Sequence, residues 1–224
     1  MRRVDDDEEA GGARVIPISE RALLSRHQRG ERDAFPQLVH AWRARVYGYL
    51  TRCGVPASDR DDLFQDVFLR VHRAVHTSPP AGGSGVTGDS GEDVALPASG
   101  TLVPWLMTIT VNVVRSHFRK VGVRSVVVLD EDAGHDVASS VRGPEGELAA
   151  RQTTQWIERA VLALPLEQRE ALVLCAIEGM EISEAAQALG APLDTVKTRL
   201  RRARLALADA RARQGLVEQR EESR

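Results

Sequence analysis

The amino-acid sequence predicts an all-α chain: two small helical domains joined by a flexible linker, the second containing a helix-turn-helix. Three observations carry this. Apolar residues recur at helical spacing through two long blocks. Few segments alternate in the manner of strands, and aromatic residues make up only 4% of the chain, so a β-rich core is disfavoured. Runs rich in Pro, Gly and Ser separate the helical stretches.

Those composition shifts set the expected boundaries. Residues 1–14 are acidic or Gly-rich, with the run Asp5 to Glu9, and are expected to be disordered. A first domain is expected over 15–120, interrupted at 77–100 by a flexible loop of Pro, Gly and Ser. Residues 121–146 read as an interdomain linker, despite the short β-branched run Val126 to Val128. The second domain is expected over 147–214, followed by a tail at 215–224.

In the first domain, the stretch Asp59 to Val75 reads as the second helix. Leu63, Val67, Val71 and Ala74 share one face, with Phe64 and Phe68 beside them, and Asp61, Asp62, Gln65 and Asp66 remain exposed. The last helix carries Leu102, Leu106, Ile109 and Val113 at core spacing. Thr108, Asn112, Arg115 and Arg119 form a polar stripe opposite. In the second domain Pro165 suits the first turn of a helix that continues to about Ile177.

The stretch Ile182 to Arg204 carries the most information. Ile182, Ala185, Ala186 and Leu189 make a short amphipathic helix, and Gly190 supplies the left-handed residue that ends it. On the next helix Val196, Leu200, Ala203 and Leu207 fall on one stripe. Thr198, Arg201 and Arg202 then point nearly opposite, with Thr195 and Lys197 beside them. A helix seated by that stripe would offer these groups to a DNA groove, Arg to guanine and Lys or Thr to phosphates. Asp194 sits in the first turn, where negative charge suits the helix dipole. A solvated basic helix in an ordinary bundle is the competing reading. The Gly turn between two short helices favours the first.

Charge distribution points the same way. The formal net charge of -2 excludes a polybasic nucleic-acid coat. Yet Lys197 to Arg213 holds seven basic residues against one acid, Asp209, which suggests a local DNA footprint. No apolar run approaches a membrane span, and the acidic start lacks the apolar core of a signal peptide, so the chain is expected in the cytoplasm without membrane insertion. Cys53 and Cys175 stand in apolar helical contexts and read as buried free thiols. His72 and His76 are one helical turn apart, but no third ligand is evident near them, so no metal and no cofactor is expected. Trp42, Trp105 and Trp156 read as core or domain-edge packing, with Trp105 also a candidate for stacking on a base.

Four segments taken in order resemble a known family, the extracytoplasmic-function group of bacterial RNA polymerase sigma factors. They are RGERDAFPQLVHAWRARVYGYL, DRDDLFQDVFLRVHRAV, PWLMTITVNVVRSHFRK and LPLEQREALVLCAIEGMEISEAAQALGAPLDTVKTRLRRAR. The resemblance covers most of residues 20–120 and 147–210. It implies that the first domain binds polymerase core and opens the minus-10 promoter element, and that the second reads the minus-35 element.

Carried over residue by residue, the resemblance assigns Asp62, Gln65 and Asp66 to polymerase binding. Asn112, Arg115, Arg119 and Trp105 would meet the minus-10 strand. Thr195, Lys197, Thr198, Arg201 and Arg202 would read the minus-35 element, the same residues the helical wheel selects. The implied partners are RNA polymerase core through its clamp and flap regions, promoter DNA and an anti-sigma factor. Glu181 replaces the Ser that often caps the family's first reading-domain helix, which predicts a weakly capped start there.

Two other readings compete. The DDLFQD spacing also suits a magnesium-diphosphate site in an all-helical enzyme, but no second acidic motif is present and aromatics to line a pocket are scarce, so no enzymatic activity is expected. A stand-alone helix-turn-helix transcriptional regulator could use the same reading helix. The DDLFQDVF and WLMTITVN helices argue against it.

Overall fold

The computed structural model describes residues 19–77, 96–97, 100–122 and 144–222, with side chains at 144–152 and 215–222 left aside. The expected disorder of 1–14, nearly all of the 77–100 loop and most of the 121–146 linker lie outside the described residues. Within them the chain forms helices only, with no strand.

The first block holds four helices: α1 (Glu20–Gln28), α2 (Ala34–Arg52), α3 (Ala57–Thr77) and α4 (Val103–Val121). The helix expected second is therefore third, because residues 20–52 divide into two. Ser19 starts α1, its Oγ accepting from the Ala22 N–H at 3.2 Å, which satisfies one of the orphan donors of the first turn. Glu31 then holds Arg26 at 2.6 Å and Arg29 at 3.1 Å, fixing the turn into α2.

The core of this block forms around Trp42 of α2, which is 1% exposed. Its ring meets Phe68 of α3 at 6.4 Å and Trp105 of α4 at 6.3 Å between centroids. Leu38, Val46 and Leu50 of α2, Val67 and Val71 of α3, and Leu106 and Val113 of α4 fill the space between. The apolar spacing read in α3 and α4 is thus the buried face.

The second block holds α5 (Pro144–Leu162), α6 (Leu166–Leu172), α7 (Ile182–Ala188) and α8 (Leu193–Glu222). Pro165 is the residue before α6, in extended backbone, rather than a residue of its first turn. After Leu172 the helix widens into one π turn over Val173–Ile177, where the Glu178 N–H donates to Val173 O at 3.0 Å. The α8 backbone continues to Glu222, so the described part of the span expected as a tail, 215–222, is helical. Val161, Leu164, Leu172, Leu200 and Ala203 make the local core between α5, α6 and α8.

The two blocks do not stand apart. The apolar core of the first runs on into Ala171, Val173, Leu174, Ala185 and Leu189 of the second. α4 packs on α7, and α2 meets α5. No helix among the described residues is long and apolar enough to cross a membrane.

One backbone position ties the blocks closely. Gly54 ends α2 with φ of +81°, a left-handed geometry that costs a residue with Cβ about 1–2 kcal/mol. A Cβ placed there would lie 2.7 Å from Arg169 Nη1 and 3.5 Å from Leu162 Cδ2. Arg169 cannot swing away freely, since its guanidinium donates to Cys53 O at 2.7 Å, to Leu164 O at 2.8 Å and to Leu162 O. Gly54→Ala is therefore expected to lower unfolding stability by about 1–2 kcal/mol or more. Denaturant titration checks this, and an unchanged midpoint would mean that the Arg169 contact yields without cost.

Candidate nucleic-acid interface

The helix-turn-helix is built from α7, the turn at Gly190 and α8. The start of α7 is better capped than the sequence predicts. Glu184 reaches back so that its Oε2 accepts from the Glu181 N–H at 3.0 Å, and the Glu181 side chain accepts in return from the helix. A Glu three residues into a helix can close a capping box even when the N-cap is not Ser. Gly190, at φ of +55°, turns the chain, and the Ala191 N–H closes back on Ala186 O at 3.0 Å. The carbonyl of Pro192 then accepts from the N–H groups of Thr195 and Val196 at 2.9 and 3.1 Å, opening α8.

On α8, Val196, Leu200 and Ala203 are buried and Leu207 is half-buried against the second block. Lys197, Arg201 and Arg202 are exposed, and Thr195 and Thr198 are half-buried at the edge of that face. Lys197 lies 3.2 Å from Asp194, an exposed pair that a phosphate could displace at little cost. The apolar stripe and the basic face therefore stand on opposite sides of one helix, as the spacing predicts.

The α4 residues are placed differently from the expected polar stripe. Trp105, the candidate for base stacking, is 5% exposed and packs tilted against Trp42, as the core reading expects, so its large apolar ring is committed to packing rather than offered to a base. Thr108 is also buried, and its Oγ1 donates to Pro104 O at 2.8 Å in place of a surface contact. Asn112 is half-buried. Arg119 is exposed beside Ser116, its Nη2 donating to Ser116 Oγ at 3.2 Å.

Arg115 is turned onto the second block. Its Nε donates to Glu170 Oε1 at 3.0 Å, its Nη2 to Glu170 Oε2 at 2.8 Å and its Nη1 to Leu189 O at 2.6 Å. Glu170 keeps 1% of its side chain exposed against 29% for Arg115, so the carboxylate bears most of the desolvation. Burial would lower the Arg115 pKa, but the hydrogen bonds and charge of Glu170 outweigh it and hold the guanidinium above its ordinary value. A second pair joins Arg45 of α2 to Glu178 at 2.8 Å. There burial raises the carboxyl pKa, opposed by Arg45 and Arg52.

Glu170, Arg169 and Glu178 escaped the sequence reading. The signal was present: Glu170 lies four residues from both Leu166 and Leu174, on the apolar face of its helix. A charge at core spacing has to be paired.

The acidic face of α3 stands as expected. Asp61, Asp62 and Gln65 are exposed, with Asp61 accepting from the Tyr47 hydroxyl. Asp66 is partly exposed and holds Arg70 at 3.2 Å.

Both blocks match known protein families. Residues 38–85 match the family described as Sigma-70 region 2, which takes in α3 and most of α2. Residues 154–207 match Sigma-70, region 4, which takes in the helix-turn-helix. The chain is 32% identical over 198 residues to RNA polymerase sigma factor NccH of Alcaligenes xylosoxydans xylosoxydans, covering 85% of this chain and 94% of that one. It is 28% identical over 193 residues to the ECF RNA polymerase sigma-E factor of Haemophilus influenzae, covering 84% and 92%. Among solved structures it is similar to CnrH in complex with the cytosolic domain of CnrY, with a TM-score of 0.55 and 25% identity over 85% of this chain and 95% of that one.

The buried pair yields a test. Arg115→Ala leaves the Glu170 carboxylate buried without its partner, at a cost of about 3–5 kcal/mol to the closed arrangement. Small-angle scattering should show a larger radius of gyration for this variant. Replacing Arg115 and Glu170 together with Met should keep the chain compact, since no charge is left stranded. An Arg115→Ala protein as compact as the parent would mean that the pair does not hold the blocks together.

Proposed function

This chain belongs to the extracytoplasmic-function sigma factors of RNA polymerase, and from that premise we propose how its surfaces divide the work of starting transcription. The observation that carries the reading is the α8 geometry: a basic face exposed on a helix seated by a buried stripe and entered through a capped turn. In this assignment Arg201 and Arg202 read base edges of the minus-35 element, while Thr195, Lys197 and Thr198 hold it by phosphates and edges. The free-standing regulator is not favoured, because residues 38–85 match Sigma-70 region 2 in addition to the region 4 match that holds the helix-turn-helix.

The acidic side of α3, with Asp62, Gln65 and Asp66, is the surface assigned to polymerase core. Asn112, Arg115 and Arg119 of α4 are assigned to the melted minus-10 strand, where an amide and guanidinium groups can hold a base or its phosphate. Trp105 drops from that set, since it would have to leave the core. Arg115 cannot hold Glu170 and a DNA strand at once, so minus-10 engagement requires the two blocks to separate there. The protein acts as an initiation factor in the cytoplasm, performing no bond chemistry itself. CnrH was solved with the cytosolic domain of CnrY. By analogy, this chain takes an anti-sigma partner. Run-off transcription with core enzyme on genomic fragments tests the whole reading: specific transcripts that need this protein support it, and none would sink it.

Two substitutions separate the surfaces. Arg201→Ala and Arg202→Ala should each weaken minus-35 recognition by about 1–3 kcal/mol with core binding intact. Normal initiation by both variants would misplace the reading face. Asp66→Arg should weaken association with core in a pull-down by setting like charges against each other. The exposed pair it gives up with Arg70 is worth only about 0.3–0.5 kcal/mol, so the fold should persist. Undiminished capture of core would remove α3 from that interface.

A further inference from the structure

The fold assembles a side-chain cluster that sequence spacing could not show. His72 and His76 lie one turn apart near the end of α3, and His27 reaches them from the last turn of α1. His27 Nε2 is 3.0 Å from His72 Nδ1 and 3.2 Å from His76 Nε2. One ligand nitrogen from each of the three rings falls within 4.8 Å of the other two. The third ligand missing from the sequence comes from a residue 45 positions away from His72.

Hydrogen bonding alone explains this arrangement poorly. An imidazole nitrogen carries either one N–H or one in-plane lone pair, so it makes one good hydrogen bond. Here a single atom, His27 Nε2, is approached by nitrogens of two other rings. A cation between the three would use all three lone pairs at once. Zn–N bonds of about 2.0–2.1 Å put neighbouring nitrogens roughly 3.0–3.4 Å apart, from cis-octahedral to tetrahedral geometry. The two separations at His27 fall in that range; the three nitrogens together lie within 4.8 Å, so a rotation of the exposed His72 or His76 ring is needed to close the third edge around an ion.

We propose that His27, His72 and His76 form a binding site for a borderline divalent transition-metal ion, zinc or a neighbour such as cobalt, nickel or copper. Three imidazoles without a carboxylate among them suit these ions and not magnesium or calcium. His72 and His76 are exposed and His27 is half-buried, so the remaining coordination position faces solvent. Phe35 packs against His27 at 4.7 Å and His72 at 5.4 Å between ring centroids, which restrains both rings. The backbone is held as well, with Gln28 Nε2 donating to Val75 O at 3.2 Å. Arg26, beside His27 in α1, and Arg29, just after the helix, are paired with Glu31, which offsets their repulsion of a metal. A bound ion would clip α1 to the end of α3.

The test uses the untagged full-length protein after chelator treatment, titrated with zinc chloride alone in a calorimeter. One ion should bind per chain, and zinc at a hundredfold excess over its dissociation constant should raise the melting temperature by roughly 5–10 °C. Cobalt(II) should give visible d–d bands without the near-ultraviolet thiolate band that Cys53 or Cys175 would produce. His72→Ala and His76→Ala, both at exposed positions, should each weaken zinc binding at least tenfold while circular dichroism stays unchanged. No saturable binding at 100-fold molar excess over protein, or undiminished affinity in the His72→Ala, His76→Ala double variant, would overturn the proposal.

Discussion

The contact between Arg115 and Glu170 governs the relation between the two halves of this protein. Glu170 is wholly inside, where an ionised carboxylate survives only if a cation and hydrogen bonds replace its water. Arg115 supplies both, and its remaining arm takes the carbonyl at the end of α7. Such a pair adds little net stability, because attraction and desolvation nearly cancel. It does make the joint specific: one side chain of α4 fits one carboxylate of α6. A joint of this kind can be exchanged for another set of partners at modest cost, provided the exchanged charge is met again.

That property bears on initiation. The two surfaces assigned to DNA in the proposed function are unequal in this arrangement. The α8 face is exposed, whereas on α4 Arg115 is engaged with Glu170 and Arg119 is exposed at the helix end, donating to Ser116 Oγ. The negative charge that Glu170 presents to Arg115 is of the same kind that a DNA phosphate would present. In the proposed minus-10 engagement, opening would trade one anion for another instead of exposing a bare guanidinium. The apolar part of the joint, Ala171, Leu174, Ala185 and Leu189 against the first block, sets the rest of its cost.

Arg169 has a different part in the same joint. Its guanidinium donates to three carbonyls, one from the end of α2 and two from the turn between α5 and α6. The carbonyls of Cys53 and Leu162 are among the unsatisfied acceptors that helix ends leave behind, and that of Leu164 belongs to the turn. One buried cation thereby closes helix termini on both sides of the joint, and Gly54 is the residue that leaves it room. Arg45 and Glu178 add a second pair across the joint, its carboxylate only 6% exposed.

The sequence by itself determined what is periodic and local. The buried faces of α3, α4 and α8 follow from apolar spacing, the turn at Gly190 from the left-handed backbone only Gly adopts freely, and the basic face of α8 from its position opposite Val196, Leu200 and Ala203. Tertiary structure alone decided what depends on distant partners. It decided between the core and the DNA strand for Trp105, turned Arg115 onto Glu170, and brought His27 to His72 and His76. The reason is physical. Helical periodicity says which side of a helix is apolar, but a charged or amphipathic side chain at the edge of that side goes to whichever partner the packing of other helices delivers. That choice is made by contacts far apart in the chain, where local spacing carries no information.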